Sequence, residues 1–328
     1  MLVGYNDNLV IHPKYSVLYT TPEFTSDTNY SGRRKNLPIN HKPTRKELSY
    51  NAKKKLEKSI NYLTYLANEK KVYNNKYKST FKFKVSFLTL TLPASQIHSD
   101  SELNNKLLNQ LLIELKQKWG IDHYVWKSEY QRNGNLHYHL LTNKFIPYNE
   151  LRNSWNRILS KLGYIERFMK SNKGKSPNST DIHSVRKVRD LSKYMCKYML
   201  KGNGHQTLQV KRDISVHGTK KDIYYKYLSL NTKSYLRSQT NKARIWGCSQ
   251  SLSNIKGAKT QDVAKYLHEF DKLEASQKAK KIIKDYCTIY AYNIDEINDS
   301  EYPLIKGLFN SYLIKQFNYT IQRKIFVT

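Results

Sequence analysis

"HYVWKSEYQRNGNLHYHLLTN", residues 123–143, reads as two short strands joined by a tight turn. Apolar and aromatic residues run through both halves, and Asn133-Gly134 between them is a hairpin signal. Successive side chains on a strand point to opposite faces, so His137 and His139 share one face while Tyr138 points to the other. Two imidazoles spaced this way can converge on one divalent ion. The preceding strand offers Glu129 as a third ligand. Counted outward from a two-residue turn, however, Arg132 faces Asn135, Tyr130 faces His137, Ser128 faces His139 and Glu129 faces Tyr138, on the wrong side. A longer turn, or a bulge at Gly134, shifts the parity by one residue and brings Glu129 to the histidines.

Around this hairpin the hydrophobic period alternates between helix and strand. "FKFKVSFLTLTLP" (81–93) predicts a strand ended by Pro93, and "SELNNKLLNQLLIELKQKWG" (101–120) an amphipathic helix stopped by Gly120. A helix over 148–163, a short strand over 180–188 and a helix over 190–201 that starts at Asp190 follow. This order predicts an α+β fold, an antiparallel-centred sheet with helices on one face and helical flanking segments. Upstream, residues 1–44 lack periodicity and read as loops or an extended arm. Thr44 then caps a long basic helix with Leu48, Leu56, Ile60, Leu63 and Leu66 at near-helical spacing. Downstream, 202–257 reads as Tyr-rich strands and loops, and 260–286 and 303–317 as helices. The expected organisation is thus a basic arm and helix (1–80), the sheet-centred domain (81–205) and a Tyr-rich, helical extension (206–328).

With 57 Lys and Arg against 26 Asp and Glu, the formal net charge is +31. An excess of this size points to a polyanionic partner, nucleic acid first, because cations that neutralise phosphates release condensed counterions. Codon bias towards Lys, Asn, Ile and Tyr would raise lysine too, but the acidic residues have not risen in step. Cys196, Cys248 and Cys287 are widely spaced with no CxxC pair, which argues against a disulfide framework or a zinc knuckle. No apolar run approaches the roughly 20 residues that span a bilayer, and the first residues lack a signal-like stretch, so the expected setting is the cytoplasm with no membrane partner. "GKS" at 174–176 is not a phosphate loop, since position 169 is Met where that motif needs glycine. His183, in "TDIHSV", reads as a structural histidine.

"YMCKYMLK" (194–201) supplies a second cluster. On a helix, Tyr194 and Tyr198 fall on one face at i, i+4, with Lys197 and Lys201 each three residues after a tyrosine. A phenol with a pKa near 10 needs a cation or metal beside it to act as a nucleophile at neutral pH. In a chain with 27 tyrosines, a repeat of Y-x-x-K also arises by chance.

An apolar strand, then a His-x-His strand, then a helix with "YxxKYxxK" resembles the ordered motifs of the rolling-circle replication initiators, the His-hydrophobe-His (HUH) endonucleases. The two-tyrosine form is similar to the replication proteins of small single-stranded DNA phages and some plasmids. Motif support covers residues 81–205, and "RIWGCSQSL" (244–252) is weakly similar to a segment downstream of this domain in phage relatives. Tyr138 stands where the family has a bulky apolar residue. The resemblance implies that His137, His139 and Glu129 bind Mg2+ or Mn2+, and that Tyr194 and Tyr198 are nucleophiles forming a 5′-phosphotyrosine link. It also implies that Lys197 positions the phosphate or stabilises the phenolate, with Lys201 assisting. The partners it implies are single-stranded DNA at a replication origin, a host polymerase that extends the freed 3′-OH, and a separate helicase. Basic and aromatic residues in "IYYKYLSLNTKSYLR" (223–237) suit a single-strand track. Two other readings stay open: a non-catalytic nucleic-acid-binding protein with structural histidines, and a transposase or mobilisation relaxase using the same chemistry.

Overall fold

The computed structural model describes residues 2–24, 48–74, 78–131, 133–184, 195, 196, 199 and 243–317. They form an α+β protein with three antiparallel sheets. The chain divides into two compact units, 1–41 with 254–328, and 42–253. Within each unit, strands far apart in the chain pair with one another.

In the first unit, β1 (Leu2–Ile11) and β2 (Tyr15–Phe24) form a long hairpin where sequence predicts loops. Its strands hide among polar residues whose bonds are made across the ladder. Asn8 is buried and donates to Thr21 Oγ1, and buried Ser16 bonds Tyr292. The helix expected over 260–286 is shorter, Ala264–Ala275, and is followed by a hairpin of β11 (Lys280–Lys284) and β12 (Cys287–Ala291). Gln277 at φ 57° stops the helix, and Ile282, Ile283, Thr288 and Ile289 carry the β-branching that suits paired strands. With β10 (Ala258–Thr260), the sheet order is β10-β1-β2-β12-β11. The helix Pro303–Phe317 falls where sequence predicts it.

The second unit begins with α1 (Tyr50–Leu66), capped by Ser49, whose Oγ accepts from the Ala52 N–H. Thr44, the expected cap, lies outside the described residues. The apolar spacing holds: Leu56, Ile60, Leu63 and Leu66 are buried. The strand expected over 81–93 is two strands. β4 (Ser79–Phe83) pairs with β3 (Lys70–Asn74), and β5 (Ser86–Thr91) enters the main sheet. Lys70 pins the corner between them by donating to the carbonyls of Lys84 and Asn143.

The main sheet runs β8-β5-β7-β6-β9, with β6 at Tyr124–Tyr130, β7 at Leu136–Thr142, β8 at Thr180–Ser184 and β9 at Trp246–Cys248. One face is apolar. Leu88, Leu90, Trp126, Tyr138 and Leu140 pack there against Leu107, Leu111, Leu115, Leu151, Trp155 and Ile158. Those helical residues come from a helix over 100–119 and from the helix Tyr148–Ser160. A capping box of Ser99 and Glu102 starts the first, Gly120 at φ 59° ends it, and a π-helical turn, Asn104–Leu108, interrupts it. The fifth strand lies beyond residue 205, inside "RIWGCSQSL". Gly247 is required there, since a Cβ would sit 2.7 Å from the Trp126 indole nitrogen.

Candidate metal centre

The other face of this sheet carries the histidines. In the observed register Glu129 stands opposite His137, and Lys127 opposite His139. The two-residue turn count therefore fails, and the one-residue parity shift holds. Gln131 donates its N–H to the Asn135 carbonyl, Gly134 donates to the Gln131 carbonyl, and Gly134 sits at φ 81°. That is the longer, glycine-dependent hairpin loop, which adds one residue and turns Glu129 to the face of the imidazoles.

Side chains from 94–100 fix this loop. Asn135 Oδ1 accepts from the Gln96 N–H at 2.9 Å, Gln96 Oε1 accepts from the Leu136 N–H at 2.7 Å, and Gln96 Nε2 donates to Asp100. Asp100 also accepts from the Tyr130 hydroxyl at the end of β6. Both strands of the hairpin are thus tied to one buried polar cluster, and the register is held at the end nearest the site.

Three donor atoms converge. His137 Nε2 lies 2.9 Å from His139 Nε2, which lies 2.9 Å from Glu129 Oε1, and all three atoms fall within 4.8 Å of one another. His139 is oriented from two sides: its ring stacks on Phe87 with centroids 5.1 Å apart, and its Nδ1 lies 3.4 Å from Thr89 Oγ1. Burial, the largest influence on Glu129, opposes its ionisation. The His139 hydrogen bond and the charges of His139, Lys127 and His137 together overcome it and bring the pKa down to about 2. Burial, then the His139 charge, lower His137 to about 4 against the opposing pull of Glu129, so its imidazole is neutral at physiological pH. A carboxylate and neutral imidazoles are the forms that ligate a metal. Two imidazole nitrogens and one carboxylate oxygen make a donor set that fits a divalent metal ion.

Residues 85–203 match the family of replication-associated proteins of the ORF2 type, the rolling-circle replication proteins of phages and plasmids. No curated protein and no solved structure matches the chain. The ORF2-like segment contains β5 to β8, and so all three converging side chains. It ends before β9, which completes the sheet from outside it.

Tyr194, Tyr198, Lys197 and Lys201 lie in the ORF2-like segment but outside the described residues, and 223–237, expected as a single-strand track, lies outside both. Between them Met195, Cys196 and Met199 are helical and buried. His183, on β8, stands opposite Phe87 in the ladder, and two strands, β5 and β7, lie between it and the Glu129 strand. Tyr138, the departure from the apolar pattern, is fully buried on the core face. Its hydroxyl donates to Asn104 Oδ1 at 2.8 Å, and Asn104 Nδ2 donates to the Arg244 carbonyl. A phenol is accommodated in place of an apolar residue because its hydrogen bond offsets the desolvation of the hydroxyl.

Sequence reasoning overlooks Lys127. The strand period places it two residues from Glu129 on the same face, which is the signal that would find it. Among the described residues, no helix is long and apolar enough to cross a membrane.

Proposed function

We propose that the chain is a metal-dependent DNA-nicking and joining enzyme that starts rolling-circle replication at a single-stranded origin, with its chemistry in residues 42–253. The observation that carries this reading is the convergence of Glu129, His137 and His139 on one sheet face of an ORF2-like segment. The charge supports it. Residues 42–253 hold 41 Lys and Arg against 14 Asp and Glu, a net +27, whereas the other unit holds 16 against 12, a net +4.

Glu129, His137 and His139 would hold a divalent ion, Mg2+ or Mn2+, which would supply Lewis-acid polarisation of the scissile phosphate. Glu129 and the two imidazoles fix where that phosphate docks. The phenolic oxygen of Tyr194 or Tyr198 attacks phosphorus and gives up its proton. A 5′-phosphotyrosine bond forms, the bond to the 3′ oxygen breaks, and that oxygen leaves as a 3′-OH after taking up a proton. Lys197 favours the phenolate or holds the phosphate, and Lys201 assists. A second tyrosine can cut the regenerated origin while the first still holds its strand. Host polymerase would extend the 3′-OH, and a separate helicase would open the duplex, in the bacterial cytoplasm.

The test incubates the protein with Mn2+ and single-stranded fragments of its own replicon, and resolves covalent protein–DNA adducts on a denaturing gel. The expected adduct needs the ion, survives in one or both of Tyr194→Phe and Tyr198→Phe, and vanishes in the double variant. DNA-binding protein that yields no adduct on any strand of the replicon would overturn the reading in favour of a binding-only protein.

A further inference from the structure

Lys127 is 1 % exposed, a position at which an ammonium ion is costly without a compensating anion. Its Nζ lies 3.7 Å from Glu129 Oε2, while the other carboxylate oxygen, Oε1, faces His139 Nε2 at 2.9 Å. The two oxygens of Glu129 therefore have separate partners, one on the side of the histidines and one on the side of Lys127. Lys127 and Glu129 on β6, with His139 and His137 opposite them on β7, make one four-residue patch. With both imidazoles neutral as ligands, the formal charges of this patch sum to zero. A divalent ion held there keeps its full double charge, and an anionic ligand is what relieves it.

We propose that Lys127 is a positioning residue that makes divalent-ion binding depend on nucleic acid. It holds Glu129 to one ligating oxygen and cancels its charge, so the ion binds weakly to the free protein and tightly once a phosphodiester is present. This rests on the metal-centre reading above. By linkage, the ion and single-stranded DNA then strengthen each other's binding by the same factor.

The experiment titrates full-length protein with Mn2+, following the electron paramagnetic resonance signal of free Mn2+, with and without a single-stranded oligonucleotide and against an oligonucleotide-only control. In the wild type, the oligonucleotide is expected to tighten Mn2+ binding by about tenfold, within the usual range of couplings. Lys127→Met, which keeps the length and removes the charge, is expected to tighten Mn2+ binding in the free protein by a similar factor and to shrink the effect of DNA. A folded Lys127→Met that binds Mn2+ no better than wild type would overturn the proposal. Should that variant fail to fold, Lys127→Gln and the wild type still decide: wild-type Mn2+ affinity that ignores the oligonucleotide refutes the idea. Mn2+ binding left intact by both His137→Ala and His139→Ala is a separate result, which would instead overturn the metal-centre reading.

Discussion

At the scale of single residues, the site depends on keeping a carboxylate charged and an imidazole neutral in a half-buried place. The unfolded chain's imidazole titrates near 6.5, whereas native His137 sits at about 4. The unfolded state therefore binds a proton that the native state refuses. Ion-free protein should lose stability as pH falls from about 6.5 towards 4. His137→Asn should flatten that stretch of the profile, measured by denaturant titration at several pH values. Glu129, depressed to about 2, acts lower down: its contribution is complete above the ordinary carboxylate range and is lost as pH falls from there towards 2. Tyr138→Phe removes the donor to buried Asn104 Oδ1 and should cost about 1–2 kcal/mol of unfolding free energy. Mn2+ binding should survive, since the hydroxyl lies on the core face. His137 and His139 were legible because the strand period alone puts them on one face. Lys127 was not, because a lysine in a chain of net charge +31 draws no attention until its burial is known.

At the scale of elements, the hairpin register decides whether there is a site at all. One extra loop residue separates the observed ladder, with Glu129 opposite His137, from the two-residue-turn ladder, with Glu129 opposite Tyr138. Deleting Asn133 leaves two residues between the paired Gln131 and Asn135, so a tight turn can close the same ladder with Glu129 still opposite His137. The expected result is retained Mn2+ binding, and its loss with far-ultraviolet circular dichroism unchanged would contradict this register. Gly247→Ala should destabilise the β6–β9 edge by about 1–3 kcal/mol, because the new methyl meets the Trp126 ring, and thermal unfolding would register it. The loop length is hard to read from sequence because Asn-Gly serves two-residue and longer turns alike. Strong apolar periods placed α1 and the 101–120 helix. The strands of the first unit went unseen because polar residues are buried along them, Asn8 bonding Thr21 on the paired strand and Ser16 bonding Tyr292 far along the chain.

At the scale of the whole molecule, the positive charge is concentrated in the unit that carries the candidate metal centre. Binding of single-stranded DNA should therefore weaken steeply with salt. Reversing Lys173 and Lys175, exposed on the approach to β8, should lower affinity more than reversing Lys280 and Lys284 in the near-neutral unit. Filter binding at two salt concentrations separates the two cases. Sequence motifs and net charge pointed to nucleic-acid chemistry, but they did not show that the sheet draws its last strand from Trp246–Cys248, because three residues carry too little pattern to reveal a partner strand. The central claim is that Glu129, His137 and His139 hold one divalent ion. The most direct test is anomalous scattering from crystals soaked in Mn2+. The account predicts a single strong peak bonded to His137 Nε2, His139 Nε2 and Glu129 Oε1. A Mn2+-dependent nicking enzyme whose peak lies elsewhere, with none among these three atoms, would contradict it.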